Sequence, residues 1–193
     1  MAVDLSGHKI ILGSASPRRK ELMAGLDLDF TVETGTDCDE SYDPATPVEE
    51  IPLAIATAKS HGFHRKLSDD EILITADTLV FCGTRKMGKP KTREEAAAML
   101  RELSGKTHTV TTGVFIRTNW KNSGFSCSSQ VTFKELEDSE IYYYIDKYRP
   151  FDKAGGYGIQ EWIGYIGITS ISGSYYNIMG LPVQRLYTAL KEF

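Results

Sequence analysis

His8-Lys-Ile-Ile-Leu-Gly-Ser-Ala-Ser-Pro-Arg-Arg-Lys-Glu-Leu-Met-Ala-Gly-Leu26 passes from a β-rich run through a polar turn into a helical run. Ser16 is a good N-cap, and Pro17 suits the first helical position, where its missing N–H is harmless. The order strand, turn, helix therefore decides the class of the fold at its first element. The turn also has chemistry. Ser14, Ser16, Arg18 and Arg19 meet the outward-pointing backbone N–H groups of a helix N-terminus. Such an arrangement attracts anions, because the helix dipole and the guanidinium forks both suit phosphate oxygens. A plain strand–turn–helix with two solvated arginines is the competing reading of this stretch alone.

Outward from it the alternation continues and argues for an α/β fold. Phe30 to Thr34 reads as a second strand and Asp37 to Pro47 as a polar, acidic loop. A helix is expected over Val48 to Phe63, with Thr46 and Glu49 as a capping box. Pro52 conflicts with that start and moves the regular helix to about Ile51. Glu71 to Phe81 is an almost continuous apolar strand, expected to be buried on both faces. Thr92 and Glu95 cap the clearest helix, and Gly105 ends it. Two β-rich runs, Lys106 to Arg117 and Phe125 to Glu135, flank a hairpin at Asn119 to Gly124. Asp138 to Tyr148 is helical up to Pro150. A glycine-rich stretch, Ala154 to Gln160, leads to a strand over Ile163 to Ile171 and a last helix from Pro182 to Lys191.

The chain has 193 residues, enough for a proper core in one domain, with 22 basic and 26 acidic side chains and a net charge of −4. That balance argues against a general nucleic-acid or membrane-surface binder, while a few clustered cations can still hold a small anion. No apolar run reaches the length of a membrane span, and the first residues have no secretory pattern, so a cytoplasmic location is expected. Cys38, Cys82 and Cys127 show no C-x-x-C and read as reduced, partly buried thiols. His61 and His64 form a close pair that reads as solvated rather than as zinc ligands.

Asp77 is the sharpest single residue. It interrupts Ile72-Leu-Ile-Thr-Ala-Asp-Thr-Leu-Val80, an otherwise ideal strand, and a buried carboxylate there needs a cation, a metal or hydrogen-bond donors. Glu33, near the end of the second strand, is a second candidate carboxylate. Two such groups on neighbouring strand ends would suit Mg²⁺, which prefers oxygen ligands; a solvated strand residue is the alternative for Glu33. Lys59 lies among small residues on its helix, and Lys89 lies in a Gly-Lys-Pro turn. Either lysine reaches a ligand or is an ordinary surface residue. Together, four cations and two acids are the balance that a metal-bound triphosphate requires. No P-loop and no G-x-S-x-G nucleophile elbow are present.

Ser14-x-Ser-Pro-Arg-Arg19, Glu33, Ala58-Lys59, Thr75-Ala-Asp-Thr78, Gly88-Lys-Pro90, Leu103-Ser-Gly105, Asp152-Lys-Ala-Gly155, Gly158-Ile-Gln160, Gly173-Ser-Tyr175 and Gly180-Leu-Pro182 occur in this order. The chain thereby closely resembles the Maf (septum-formation) family of nucleoside triphosphate pyrophosphatases, from about Ile10 to Leu190. The resemblance implies one domain over 1–193 with an elongated mixed β-sheet flanked by helices, two lobes around a cleft, similar to the inosine triphosphate pyrophosphatases. It implies hydrolysis of a nucleoside triphosphate to the monophosphate and pyrophosphate with a divalent cation, Mg²⁺ or Mn²⁺. Asp77 takes the place of the family's proton acceptor, and Arg18, Thr78 and Gln160 fall on its specificity positions. That set resembles the branch acting on dTTP and UTP. Ser14, Ser16, Arg19, Lys59 and Lys89 would help to bind the pyrimidine nucleotide, Glu33 and Asp77 would hold the metal, and a homodimer is implied. Ala15 and Gly156 depart from the family pattern and leave the exact base preference open. Rival readings are a nucleotide-binding regulator without turnover, a purine-specific pyrophosphatase and a nucleic-acid-binding module.

Overall fold

Apolar runs that lack the helical period build the centre of the sheet. β1 (Lys9–Leu12) and β3 (Glu71–Cys82) are parallel neighbours in the register Ile10 to Ile72 and Leu12 to Ile74. Ile10, Ile11, Leu12, Ile72, Leu73 and Ile74 are all buried, as expected for strands covered on both faces. β2 (Phe30–Val32) runs parallel to the other side of β1. The computed structural model describes residue 5, residues 7–35 and residues 41–193. Cys38 and part of the acidic loop expected over Asp37 to Pro47 lie outside the described residues.

The remaining elements follow in chain order. α1 (Pro17–Ala24) comes after β1, and α2 (Ile51–His61) precedes β3. β4 (Arg85–Met87) folds back antiparallel on β3. Then come α3 (Arg93–Leu103), β5 (Thr107–Arg117), β6 (Asn122–Phe133) and α4 (Asp138–Tyr148). A short 3₁₀ turn at Ala154–Gly156 leads to α5 (Trp162–Gly167), β7 (Ile168–Ser172), α6 (Tyr175–Met179) and α7 (Val183–Leu190). The strands form one mixed sheet in the order β2-β1-β3-β5-β6-β7, with β4 beside β3. By packing, the chain divides into two units: Met1–Asp77, Thr112–Cys127 and Gly180–Phe193 in the first, Thr78–Thr111 and Ser128–Met179 in the second. None of the described helices is long and apolar enough to cross a membrane.

Local sequence explains most boundaries. Ser16 caps α1 with Pro17 behind it, and Thr92 caps α3 by accepting from Glu95 N at 3.1 Å. The Glu95 carboxylate reaches back to Lys91 N rather than to Thr92, so the expected box is half closed. α2 begins at Ile51 with Pro52 in its first turn, and Glu50 caps it without a side-chain bond; Thr46 and Glu49 form no box. Gly113 of β5 lies so close beneath α2 that a Cβ would stand 2.2 Å from Leu53 N. The strand expected over Ile163 to Ile171 is present only from Ile168. Before that, Gly164 N bonds Glu161 O at 2.8 Å and closes a helical turn. A Cβ on Gly164 would lie 1.9 Å from Ile159 O, so the glycine allows a turn that the apolar run alone does not reveal. The three tyrosines of α4 separate in role: Tyr142 lies under Arg93 and Arg101, Tyr143 is exposed and Tyr144 is buried.

Candidate active site

In the first unit, α1 and the loop before it are wound around one arginine. Ser14 Oγ accepts from Ser16 N at 3.3 Å, and Ser16 Oγ accepts from Arg19 N at 3.5 Å. The Arg19 guanidinium donates to Ala76 O at 2.8 Å, to Gly180 O at 2.9 Å and, more weakly, to Ser14 Oγ at 3.4 Å. Arg19 thus ties the turn to the residue before Asp77 and to the segment that precedes α7. These backbone carbonyls engage the guanidinium that is expected to meet phosphate. Arg18, its neighbour, is half-buried on the same turn.

Lys59 and Asp77 meet. Lys59 Nζ donates to Asp77 Oδ1 at 2.7 Å, with side chains only 17% and 13% exposed. Strand and helix periodicity bring them together. Thr75 Oγ1 donates to Ala56 O at 2.7 Å and pins β3 against α2. Two residues on along the strand and three on along the helix restore the same facing sides, and these positions are Asp77 and Lys59. The buried carboxylate thus has the cation that its apolar strand demands. Lys59 takes the Oδ1 oxygen of that carboxylate.

Glu33 is placed elsewhere. Glu33 N continues the ladder by donating to Leu12 O at 3.2 Å. Its carboxylate accepts from Arg65 Nη2 at 2.6 Å and Nε at 3.0 Å. Arg65 also donates to both oxygens of Glu71, at 2.7 and 3.0 Å. The strand registers put the Cα atoms of Glu33 and Asp77 about 12 Å apart, and Arg65 draws the Glu33 carboxylate toward the opposite end of β3. In this structure the Glu33 carboxylate is engaged by Arg65. Among the described residues no group of three or more His, Cys, Asp or Glu side chains could hold a metal ion. Arg65 holds the carboxyls of Glu33 and Glu71 below their ordinary range, its hydrogen bonds being the main cause. His64 Nε2 lies 3.5 Å from Glu33 Oε2, and the His61 ring lies 5.9 Å from that of Phe115.

The second unit carries Thr78, Lys89 and Gln160. Thr78 is half-buried on β3, and Lys89 is exposed between Gly88 and Pro90. The Gly88 carbonyl accepts from Gly155 N at 3.0 Å, which links the Lys89 turn to the glycine-rich segment. Gln160 Oε1 is buried without a hydrogen-bond partner among the described residues. A buried amide oxygen left in that state is an acceptor waiting for a donor. Beside it, Lys153 pairs with Asp152 at 2.8 Å and with Glu161 at 3.1 Å. Sequence reasoning gave no role to Arg65, Lys153 or Glu161. A lysine inside the glycine-rich motif was the one available signal.

The Maf-like protein family model matches residues 9–193. The chain belongs to the Maf family. Its relatives within the family include the dTTP/UTP pyrophosphatase of Parabacteroides distasonis, 56% identical over 193 residues with all of both chains covered. The dTTP/UTP pyrophosphatase of Porphyromonas gingivalis is 53% identical over 195 residues, covering 100% of this chain and 98% of its own. That of Bacteroides fragilis is 50% identical over 192 residues, with all of both chains covered. Among solved structures, a HAM1 protein from Coxiella burnetii matches with a TM-score of 0.52 at 13% identity, covering 96% of this chain and 100% of that one. That likeness concerns the fold alone, and it agrees with the mixed sheet flanked by helices that the family resemblance implied for this Maf chain.

Proposed function

We propose that this Maf protein hydrolyses dTTP and UTP to the nucleoside monophosphate and pyrophosphate. One observation carries the reading: relatives of matching length, 50–56% identical, bear that activity in their names. The geometry of the first unit supports the chemistry. Asp77 accepts a proton from a water molecule as its oxygen bonds to the α-phosphorus. The bond from that phosphorus to the bridging oxygen breaks, and pyrophosphate leaves. Lys59, now on Asp77 Oδ1, moves to a phosphate oxygen when substrate binds. Arg18 and Lys89 hold the other phosphate oxygens. Arg19, Ser14 and Ser16 keep the turn in the shape that receives them.

A single carboxylate together with substrate phosphates suits Mg²⁺ or Mn²⁺, ions that seldom need an all-protein cage. Asp77 Oδ2 is the protein oxygen suited to such an ion, which when bound would neutralise phosphate charge. Glu33, which is paired with Arg65, would be a second oxygen ligand. On the base side, Gln160 Oε1 accepts the N3–H of uracil or thymine, and its NH₂ donates to a ring carbonyl. Cytosine has an acceptor at N3 and leaves the amide oxygen unmatched. Thr78 contacts the same nucleotide. A homodimer belongs to this reading, supported by the exposed Tyr165, Ile171 and Tyr176 near the edge strand β7, and light scattering measures it.

The test is pyrophosphate release from dTTP, UTP, CTP, dITP and GTP, with Mg²⁺ and with chelator, for the wild type and Asp77→Asn. Cation-dependent release from dTTP and UTP, lowered about 10²–10⁴-fold in the variant, is expected. Binding without turnover of any nucleotide would refute the reading, and near-normal rates in Asp77→Asn would refute the role of Asp77.

A further inference from the structure

Lys153 is only 8% exposed, although it carries a charge. Its Nζ bonds Asp152 Oδ1 at 2.8 Å and lies 3.1 Å from Glu161 Oε1. The other Glu161 oxygen accepts from the hydroxyl of the fully buried Tyr144. The same hydroxyl accepts from Gly158 N at 3.0 Å. One phenol therefore grips both ends of Gly158-Ile-Gln-Glu161, and the backbone bond Glu161 N to Gly158 O at 3.0 Å closes the loop. Burial and Glu161 push the hydroxyl pKa up, so Tyr144 stays a donor. A Cβ on Gly158 would stand 2.9 Å from Glu161 Cδ and 3.1 Å from Lys153 Cε, so a side chain there would push on this ion pair.

A buried ion pair of this kind stabilises little, because desolvation offsets its attraction. What it supplies is fixed geometry. Gln160 is the polar side chain between the two gripped ends, and its buried Oε1 has no bond of its own among the described residues.

We propose that Tyr144, Glu161 and Lys153 are positioning residues that hold the Gln160 amide in register for a base bearing an N–H donor, and so set how sharply the site separates uracil from cytosine. The proposal rests on the base contact assigned to Gln160 above. Loosening the grip lets the amide rotate, and UTP then loses the advantage that a matched donor gives it.

The experiment compares Tyr144→Phe and Glu161→Gln with Gln160→Ala, by kcat and KM for UTP and CTP and by melting temperature. Gln160→Ala is expected to lower the UTP-to-CTP ratio of kcat/KM at least about tenfold, the effect of one lost hydrogen bond. Tyr144→Phe and Glu161→Gln are expected to lower it by about tenfold or less, mainly through KM for UTP. A merely structural network would lower the melting temperature and leave that ratio alone. A wild-type ratio in the two network variants, with a relaxed ratio in Gln160→Ala, overturns the proposal but leaves the base contact standing. A wild-type ratio in Gln160→Ala overturns the base contact and the proposal with it. Glu161→Gln, which keeps size and shape, decides the matter if Tyr144→Phe does not fold.

Discussion

Arg19 clasps two backbone carbonyls, and its replacement by Ala measures what that clasp contributes. The guanidinium bonds the carbonyls of Ala76 and Gly180 at 2.8 and 2.9 Å, and both residues are buried. A hydrogen bond from a charged group contributes about 1.5–3 kcal/mol net, and an acceptor left buried without its donor costs a similar amount. Two such bonds, discounted because Arg19 is half-exposed, give about 2–4 kcal/mol of lost stability. For a chain of this length that corresponds to a fall in melting temperature of roughly 4–16 °C. Because Ala76 directly precedes Asp77, the proposed proton acceptor would lose its alignment, and kcat is expected to fall more than KM rises. Arg19→Lys should recover little, since one ammonium group cannot span two carbonyls as the fork does. Urea unfolding and pyrophosphate release from UTP measure both quantities. A variant with unchanged stability and only a raised KM would refute the clasp and return Arg19 to the phosphates.

Three other outcomes are expected. Gly113→Ala should cost at least about 3 kcal/mol, because the added carbon would meet the Leu53 backbone at 2.2 Å; a urea midpoint within error of wild type would mean that α2 does not seat there. Arg65→Met should change the acid limb of the stability curve. The Glu33 and Glu71 carboxyls titrate below their ordinary 4.5 in the folded chain, so their contribution is full above that value and is lost as pH falls through the lowered values. Melting curves from pH 7 to pH 3 should therefore show wild type and variant converging at the acid end, and parallel curves would contradict this. Lys59→Met should raise KM for UTP by about tenfold or more, as one phosphate contact is lost, and an unchanged KM would leave Lys59 as a partner of Asp77 alone.

Elements whose signals are local were legible in the sequence. Ser16 and Pro17 announce the start of α1, and the apolar runs of β1 and β3, Ile10 to Leu12 and Ile72 to Ile74, announce burial on both faces. Where tertiary contact decides, the reading failed. The run after Trp162 has the composition of a strand, yet a glycine lying against Ile159 O lets a helical turn form first. The same divide runs through the site. Asp77 stood out because a carboxylate in an apolar strand demands a partner, but the choice of Lys59 depends on Thr75 pinning Ala56. Only the packed helix reveals that step.

Glu33 shows the converse. Its type and its place at a strand end match a metal ligand, and nothing in its sequence neighbours argues otherwise. Arg65 lies far along the chain, and only the fold brings its guanidinium between Glu33 and Glu71. The Glu33 carboxylate accepts from that fork through both of its oxygens, at 2.6 and 3.0 Å. Asp77 is met by Lys59 through Oδ1 at 2.7 Å. The two acids are equivalent as letters in the sequence, and the fold gives them different partners, Lys59 for Asp77 and Arg65 for Glu33.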